Sequence, residues 1–455
     1  MSWLHALTCV QIEREIERDL DFLTTDLLNL PPAQRALRTV FERSWGLLEP
    51  AEQTTLAKLA IFPATFQPEA AQFVASAPLS SLAKLVNHSL LLVNSGGAYF
   101  MHRSVREFAS AKLSAQPEQF VELQKQYARY YLNFVVQREQ NIKGVQYATA
   151  LEQITLELDN IRTAWEHAIT HEMFDELYAG QEGLALYYEG RGYYKEGVER
   201  FMRAIRAAET HAKQTHATAP DNATAPDDVT APDNAYENVW LLAGRLYAAV
   251  GWYYARLGKG AQAEQALQSS LTILQNRGHS AADAIAPALL NWGLALGSYA
   301  PQRALAMLEQ CIAPLTRASD RWRLSIAWTA LAGTHWLMGN YRTADICCRE
   351  AERLAQKHGG SYGLELALQI LGRIAIARGR YQLAAEYLQA SFEFAQRSTL
   401  KPQLTMALYW QGESCRLRGQ AEQAQLYYER SIDLAKTIGH TMAHASALWG
   451  QGCLA

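Results

Sequence analysis

Small and apolar residues recur at intervals of forty positions through the second half of the chain. Alanines stand at Ala304, Ala344, Ala384 and Ala424. Four positions later come Leu308, Cys348, Leu388 and Tyr428, and seven positions later come Cys311, Ala351, Ser391 and Ser431. A fixed period of about 20–50 residues is typical of stacked repeat arrays. The pattern predicts an elongated scaffold that works through a long surface and has no catalytic residues.

One period contains the pattern of two helices. Apolar residues follow a helical spacing around Gly372 and stop at Gly379, and glycine readily takes the left-handed conformation that ends many helices. Tyr381 then begins a second helix, in which Ala384 is small enough for the two helices to approach closely. The small residue, the Gly-x-Tyr turn and the alanine resemble the tetratricopeptide repeat, although that repeat has about 34 residues and HEAT or armadillo repeats have about 40–47. The pattern predicts an all-α, tetratricopeptide-like solenoid over 176–455.

The array contains one interruption and a short last copy. Residues 218–235 read TAPDNA, TAPDDV and TAPDNA, with a proline in each unit and almost no large apolar residue. Such a segment cannot bury enough surface to offset the entropy lost on ordering, so it predicts a disordered insertion at about 212–236. Gly452 stands forty positions after Gly412, with no second helix after it. The ending is therefore interpreted as that of a truncated chain.

The first third of the chain has a different pattern. Four short amphipathic segments lie between residues 32 and 88, followed by the apolar runs Leu90–Val93 and Tyr99–Met101 around a Gly-containing turn. Two such runs predict a β-hairpin. With the helix predicted after Val105, they give a winged-helix domain with one small hairpin at 31–115. A helical connector is expected at 116–175 and a helical stub at 1–30.

These segments resemble a known family in their order and spacing. FERSWGLLEPAEQTTLAKLAIFPATFQPEAAQFV, LAKLVNHSLLLV and YFMHRSVREFASAKL look like the winged-helix part of bacterial STAND signal-transduction NTPases, the NB-ARC-like regulators. LDNIRTAWEHAI, from Leu158 to Ile169, resembles their link to a repeat sensor, and residues 1–30 resemble the end of their helical lid. The resemblance implies the C-terminal part of such a transcription or signalling regulator, in which the winged helix relays events at the sensor to an NTPase domain.

The sequence lacks the motif that the nucleotide chemistry of that family needs. A P-loop requires G-x-x-x-x-G-K-[ST], whereas Gly258-Lys259-Gly260 has no Ser or Thr after its lysine. No cofactor is therefore expected, and ATP or ADP would bind only to a complete parent protein. His102 occupies the place of the histidine in the family's M-H-D motif, which implies contact with a nucleotide phosphate if an NTPase domain is present. Arg103 replaces the acid of that motif.

The sequence offers two other kinds of candidate site. A DNA-binding winged helix would use the helix from Leu79 to His88, but this segment offers only Lys84, Asn87 and His88 as polar contacts and the turn at 94–98 has no Lys or Arg. Because phosphate contacts supply most DNA affinity, this poor basic footprint argues against nucleic acid. His440 and His444 share a helical spacing, but a zinc site needs further ligands. They are interpreted as exposed histidines at a helix N-terminus, and no metal site is predicted.

The best candidate site is the groove of the array. Its exposed first-helix positions are predicted to be Arg245, Trp252, Arg256, Trp336, Arg373, Tyr409, Glu413 and Arg416. Aromatic and arginine side chains are common interface anchors, so the groove suits a partner protein, in particular an acidic or aromatic peptide. A sugar or other small metabolite stacked on Trp252 or Trp336 is the alternative, and a merely solvated groove remains open.

Composition adds little to this picture. The 455 residues are 49% hydrophobic and 19% charged, with a net charge of −3, so no general attraction to nucleic acid or an anionic membrane is expected. The six cysteines form no C-x-x-C pair, which indicates apolar core residues in a reducing compartment. No apolar run is long enough for a transmembrane helix and no secretory signal is evident, so a cytoplasmic location is predicted.

Overall fold

The computed structural model describes residues 37–144, 146–217, 233–277, 281–297, 299–358, 361–397 and 400–454. The stub predicted at 1–30 lies outside these residues, and so does 218–232, the centre of the predicted insertion. The chain divides into two compact units. Unit 1 comprises residues 1–132 and 157–171, and unit 2 comprises residues 133–156 and 172–455.

The described residues are almost entirely helical. The helices before the array are α1 (Leu37–Gly46), α2 (Pro50–Leu59), α3 (Pro68–Ala75), α4 (Leu79–Asn87), α5 (Arg103–Ser114), α6 (Pro117–Lys143), α7 (Tyr147–Leu156) and α8 (Leu158–Thr170). The array contains α9 (Phe174–Arg191), α10 (Tyr194–Ala217), α11 (Asp233–Arg256), α12 (Gly260–Gln275), α13 (Ala282–Leu296), α14 (Pro301–Arg317), α15 (Arg321–Leu337), α16 (Tyr341–His358), α17 (Ser361–Ala377), α18 (Tyr381–Arg397), α19 (Lys401–Leu417), α20 (Ala421–Ile438) and α21 (Thr441–Gly452). None of the described helices combines the length and the apolar character needed to cross a membrane.

Unit 1 contains one small hairpin among its helices. Strand β1 (Leu92–Val93) pairs antiparallel with β2 (Tyr99–Phe100). The side-chain oxygen of Asn94 accepts hydrogen bonds from the backbone of Gly96 and Ala98, both at 3.0 Å, and so holds the turn. Apolar residues of α2, α4 and the following loops are buried, among them Leu59, Leu82 and Leu91. The arrangement is compatible with the predicted winged helix, which stays a prediction.

Unit 2 is a tetratricopeptide-like array of helix pairs, which confirms the predicted all-α fold. The alanines of the forty-residue period are fully buried, as are the residues four positions after them. The reason is geometric. A Cβ atom added to Gly372 would lie 2.6 Å from Leu388, and one added to Gly412 would lie 2.5 Å from Tyr428. In these two pairs the small residue of the first helix therefore receives a large side chain of the second helix, and the pair packs closely.

The array of unit 2 closes on itself, unlike the elongated scaffold that the sequence predicted. Gly192, at the turn between α9 and α10, has φ +73°, and a Cβ atom there would lie 2.6 Å from the Cβ of Ile438. At the next turn, a Cβ atom on Gly258 would lie 3.0 Å from Thr441. The first two turns of the array thus pack against α20 and α21. The rotation between successive pairs accumulates until the last pair returns to the first.

Candidate functional site

Two cavities lie on the inner lining of unit 2. The inner cavity, of about 120 Å³, is lined by residues of α6, α7, α9, α11, α13 and α15. The tryptophan cavity, of about 280 Å³, is lined from α13, α15, α17, α19 and α21. From α9 onward, every helix that contributes is the first helix of its pair. Leu294 lines both cavities, so they are neighbours along one continuous lining.

The carboxylates of the inner cavity are each paired with a cation. Glu182 forms ion pairs with Arg323 and, at 3.3 Å, with Lys143. Burial alone would raise the pKa of Glu182, but the charges of Arg323, Lys143 and Arg245 lower it to about 2. The Glu182 carboxylate is therefore ionised, and its charge is balanced within the protein.

Glu189 is held by two side chains that the sequence assigned to the groove. Arg256 donates from Nη2 to Glu189 Oε1 at 2.7 Å, and Trp252 donates from Nε1 to Oε2 at 2.9 Å. The guanidinium of Arg256 also lies 4.3 Å from the centre of the Trp252 ring. These two predicted residues do lie together, but their polar groups and one face of the Trp252 ring are already used within the fold.

Arg245 differs from these residues. Its guanidinium lies 4.8 Å from the centre of the Tyr178 ring, and within the described parts of the chain no carboxylate forms an ion pair with it. Its buried Nε atom has no hydrogen-bond partner there. The buried Nε2 atom of Gln181, another residue of the inner cavity, is also without a partner among the described residues. The cavity thus offers two side chains with unused donors.

The tryptophan cavity contains a second arginine of this kind. The Arg373 guanidinium lies 3.8 Å from the ring centre of Trp336 and 4.8 Å from that of Trp410. Burial lowers the pKa of Arg373 to about 10, and no carboxylate is among the groups that act on it. Its Nε atom is buried without a hydrogen-bond partner in the described residues. Arg373 is still charged at neutral pH, so this cavity holds a cation whose charge the described residues leave unbalanced.

None of the eight predicted groove residues is exposed, because six are half-buried and two are buried. Tyr409 is 7% exposed and Glu413 is 5% exposed. Glu413 turns toward its neighbours, accepting a hydrogen bond from Arg416 Nη2 at 2.9 Å and another from the Tyr428 hydroxyl. Because a buried carboxylate needs hydrogen bonds and a counter-charge, these contacts explain why Glu413 and Arg416 belong to an internal network.

The other predicted residues lie in ordinary structural settings. His102 is exposed and is the N-cap residue of α5, where its Nδ1 atom accepts a weak hydrogen bond from the Ser104 backbone at 3.4 Å. Its nucleotide contact stays a prediction. Lys84, the one cation among the three polar residues that the predicted DNA-facing helix offers, has its Nζ atom 3.0 Å from Glu52 and 3.5 Å from Glu49.

The two histidines of the zinc alternative are placed differently from expectation. His440 is 1% exposed and His444 has a buried ring nitrogen, so the prediction of two exposed histidines is wrong. The close packing of α21 against the first turns of the array covers His440. Within the described segments, no group of three or more His, Cys, Asp or Glu residues is arranged to hold a metal ion.

Several residues of the site were not predicted from the sequence. Gln181 and Glu182 lie on α9, the diverged first pair, where the forty-residue pattern is weakest. Trp410 directly follows the predicted Tyr409 and was missed because a shift of one position rotates the expected groove face by about 100°. The pairing of Arg323 with Glu182 joins α15 to α9, 141 positions apart, and sequence spacing carries no signal for such a contact.

Comparisons with known proteins concern the fold alone. No protein-family model matches the chain, and no curated protein matches it. Among solved structures, the chain is similar to a signal transduction ATPase with numerous domains that carries a tetratricopeptide repeat sensor, from Pyrococcus horikoshii. The identity is 15% over 99% of this chain and 67% of that chain, with a TM-score of 0.45.

Two further solved structures are similar at the same low level. Aspartyl phosphate phosphatase F from Bacillus subtilis is 12% identical over 89% of each chain, with a TM-score of 0.49. Yeast Tom70 is 14% identical over 91% of this chain and 85% of that chain, with a TM-score of 0.32. Identities and TM-scores this low say nothing about function, so function is inferred from the chain's own geometry.

Proposed function

We propose that the chain is a non-catalytic binding scaffold that takes a segment of a partner protein on the inner lining of unit 2. The observation that carries the proposal is the origin of the lining residues. Beyond α6 and α7, both cavities are lined by the first helices of successive pairs. A repeat array that turns one helix of every pair toward a common lining builds an extended binding surface from many small contributions.

The residue types on this lining support a protein ligand. Trp252, Trp336, Trp410 and several arginines border the cavities. Tryptophan, tyrosine and arginine are the residues that most often anchor protein interfaces. The alternative of a sugar stacked on a tryptophan has less support, because Arg256 and Arg373 each cover one face of the ring that would be used.

A selection of displayed random peptides on the full chain tests the proposal. Ala330 is half-buried in the tryptophan cavity, and Ala330→Trp would fill part of that space. Ala390, exposed on α18, gives the matched control Ala390→Trp. We expect the selected peptides to bind the wild type and the control but not Ala330→Trp. Peptides that bind all three proteins equally would refute a role for the lining, provided that the variants melt like the wild type.

The non-catalytic part of the proposal has its own test. The purified chain is expected to hydrolyse no ATP, because its sequence has no P-loop to cradle phosphate. Phosphate release from ATP that persists through successive purification steps and follows the protein peak would overturn this part. The same preparation with heat-denatured protein is the control for contaminating nucleotide.

We further propose that the array is the sensor of a STAND-like regulator that acts in the cytoplasm. The order of the family-like segments, from FERSW to LDNIRTAWEHAI, supports this regulatory role. The cysteines that the structure describes are all free thiols, which fits a reducing compartment. Binding of the selected peptides should then change the nucleotide exchange of a STAND NTPase domain supplied together with the chain. An exchange rate that is the same with and without peptide would count against the regulatory role.

A further inference from the structure

The arginines on the inner lining of unit 2 fall into two groups that differ in their partners. Arg256, Arg323 and Arg416 each form an ion pair with a carboxylate, on Glu189, Glu182 and Glu413 respectively. Arg245 and Arg373 have aromatic rings beside their guanidinium groups instead. Within the described residues, neither of these two has an ion pair or a partner for its buried Nε atom. Three of these five cations form ion pairs within the fold. Arg245 acts on the charge of Glu182 without forming an ion pair, and no carboxylate acts on Arg373.

An unbalanced cation that is partly removed from water is unfavourable to the free protein. Taking a charge out of water costs free energy unless an opposite charge or hydrogen bonds replace the lost hydration. The lowered pKa of Arg373, which burial causes, expresses the same cost. A ligand anion at Arg373 would supply the missing counter-charge, and one at Arg245 would give its guanidinium the ion pair that it lacks among the described residues. Binding of an anion can therefore regain the free energy that the unliganded protein loses by removing this charge from water.

The geometry favours a carboxylate over a diffuse negative charge. A guanidinium presents its donors in a planar fork that matches a carboxylate in two parallel hydrogen bonds. The Trp336 ring at 3.8 Å and the Trp410 ring at 4.8 Å border the Arg373 fork and limit its orientations. At the inner cavity, the amide of Gln181 offers a further donor that lacks a partner among the described residues.

The two arginines belong to one binding surface. Arg245 lines the inner cavity, Arg373 lines the tryptophan cavity, and Leu294 lines both. A ligand that occupies both cavities must therefore pass over an apolar side chain. The inner cavity of about 120 Å³ has room for roughly ten waters, at about 10–15 Å³ each. That space suits a single carboxylate side chain with its methylene groups.

We propose that the partner segment is an acidic peptide that places one Asp or Glu carboxylate at Arg245 and a second at Arg373, with an apolar residue over Leu294. This inference rests on the proposed function and names the chemistry of its ligand. Charge complementarity is the argument for this occupant. Neither guanidinium forms an ion pair within the described residues, and no carboxylate acts on Arg373. The acidic peptide supplies a carboxylate to each of the two.

The test uses the full chain and defined peptides. The probes are fluorescein-labelled peptides with acetylated and amidated ends, in which two glutamates flank one to six residues that include a leucine. Each has a twin in which both glutamates are glutamine. We expect fluorescence polarisation to detect binding of at least one glutamate peptide, with about tenfold or greater weakening in its glutamine twin. Binding should also weaken as salt rises, because the contacts are ionic.

Variants of the two arginines locate the contacts. Arg245→Gln and Arg373→Gln should each weaken the glutamate peptide about tenfold or more and leave the glutamine twin unchanged. Arg349→Gln is the matched control, because Arg349 is an exposed arginine on a second helix, α16, paired with Asp345. Thermal melting of each variant establishes that it is folded. The more conservative Arg373→Lys keeps the charge without the planar fork and should weaken binding less than Arg373→Gln.

The possible results separate this inference from the proposed function. Equal binding of glutamate and glutamine peptides, or no binding by any glutamate peptide at millimolar concentration, would overturn the acidic ligand. If displayed random peptides were nevertheless selected and lost binding to Ala330→Trp, the scaffold function would stand with a different ligand chemistry. Failure of both experiments would remove both proposals.

Discussion

Arg256 and His440 are in contact although 184 positions separate them in the chain. The Nη1 atom of Arg256 lies 2.9 Å from Nε2 of His440, and its Nη2 atom donates to Glu189 at 2.7 Å. One guanidinium therefore ties α9, α11 and the start of α21 together. A guanidinium and a backbone amide only donate hydrogen bonds, so the contact at Nε2 and the 3.3 Å contact between Nδ1 and the Ala443 amide both require a neutral histidine, whose single ring lone pair accepts from one of the two.

This contact predicts that the closed array is sensitive to acid. Burial, with a smaller effect of Arg256, lowers the pKa of His440 to about 3, from an ordinary value of 6.5. Below pH 6.5 the unfolded chain binds a proton that the folded chain does not. The free energy of unfolding should therefore fall as the pH decreases from about 6.5 toward 3, by about 1.4 kcal/mol per pH unit from this group.

Urea denaturation at pH 7 and pH 5 of the wild type and His440→Gln checks the prediction. Glutamine keeps an acceptor near Arg256 but does not titrate, so the variant should lose much less stability between the two pH values. Other buried groups such as His167, whose pKa burial lowers to about 4, affect both proteins equally. Identical losses in the two proteins would show that His440 does not stay neutral in the fold.

The close approach of Gly192 to Ile438 predicts that closure contributes to stability. Gly192→Ala places a methyl group in a left-handed position (φ +73°) and 2.6 Å from the Ile438 Cβ. Gly339 is a matched control, since it has φ +78° at the α15–α16 turn and nothing within 4 Å of an added Cβ. We expect a loss of about 1 kcal/mol for Gly339→Ala, from backbone strain alone. For Gly192→Ala we expect about 2–4 kcal/mol, because overpacking adds to the strain.

A second substitution identifies the source of that difference. Ile438→Gly removes the Cβ and the rest of the side chain that the new methyl group would meet, so the double variant Gly192→Ala/Ile438→Gly should be more stable than the sum of the single losses predicts. Guanidinium denaturation of the four proteins gives the interaction energy. Simple additivity, together with equal losses at Gly192 and Gly339, would mean that the two ends of the array do not touch in solution.

The repeat core contains a buried carboxylic acid that should lower the free energy of unfolding at high pH. Glu365 on α17 is 0% exposed and accepts a hydrogen bond from the Ser391 hydroxyl at 2.8 Å. Burial raises the pKa of Glu365 to about 8 from an ordinary 4.5, so the folded state holds a proton that the unfolded state releases. Stability from this group is complete below pH 4.5 and is lost as the pH rises toward 8.

Glu365→Gln should remove that dependence. The variant is expected to match the wild type near pH 4.5 and to exceed its free energy of unfolding by on the order of 3 kcal/mol near neutral pH. Chemical denaturation across this range gives the comparison, and Glu393→Gln on the exposed face of α18 is the control. A wild type whose stability rises from pH 5 to pH 8 more than that of Glu365→Gln would contradict the prediction.

The sequence predicts the structural features that recur in every repeat. It gives no sign of the contacts that occur at only one place in the chain. The buried role of Ala304, Ala344, Ala384 and Ala424 follows from their period, because each sits in the same pocket of its own pair. Closure could not be predicted in this way, since it depends on the sum of small rotations between pairs. Gly192 and Gly339 look alike as turn glycines in the sequence, yet only Gly192 meets a distant helix. The forty-residue pattern likewise gave no sign that Glu413 pairs inward with Arg416 and Tyr428.

The unbalanced charge of Arg373 leads to a last prediction that separates stability from binding. If its cost in the free protein is real, Arg373→Met should keep most of the packing between Trp336 and Trp410 and remove the desolvated charge. The variant should then be as stable as the wild type or more stable by about 1 kcal/mol, while losing affinity for the acidic peptide. Thermal melting and fluorescence polarisation measure the two effects on one preparation. If the arginine served only to stack between the rings, Arg373→Met would lower the melting temperature and leave peptide affinity unchanged, because the lost cation–π contacts would be its whole contribution.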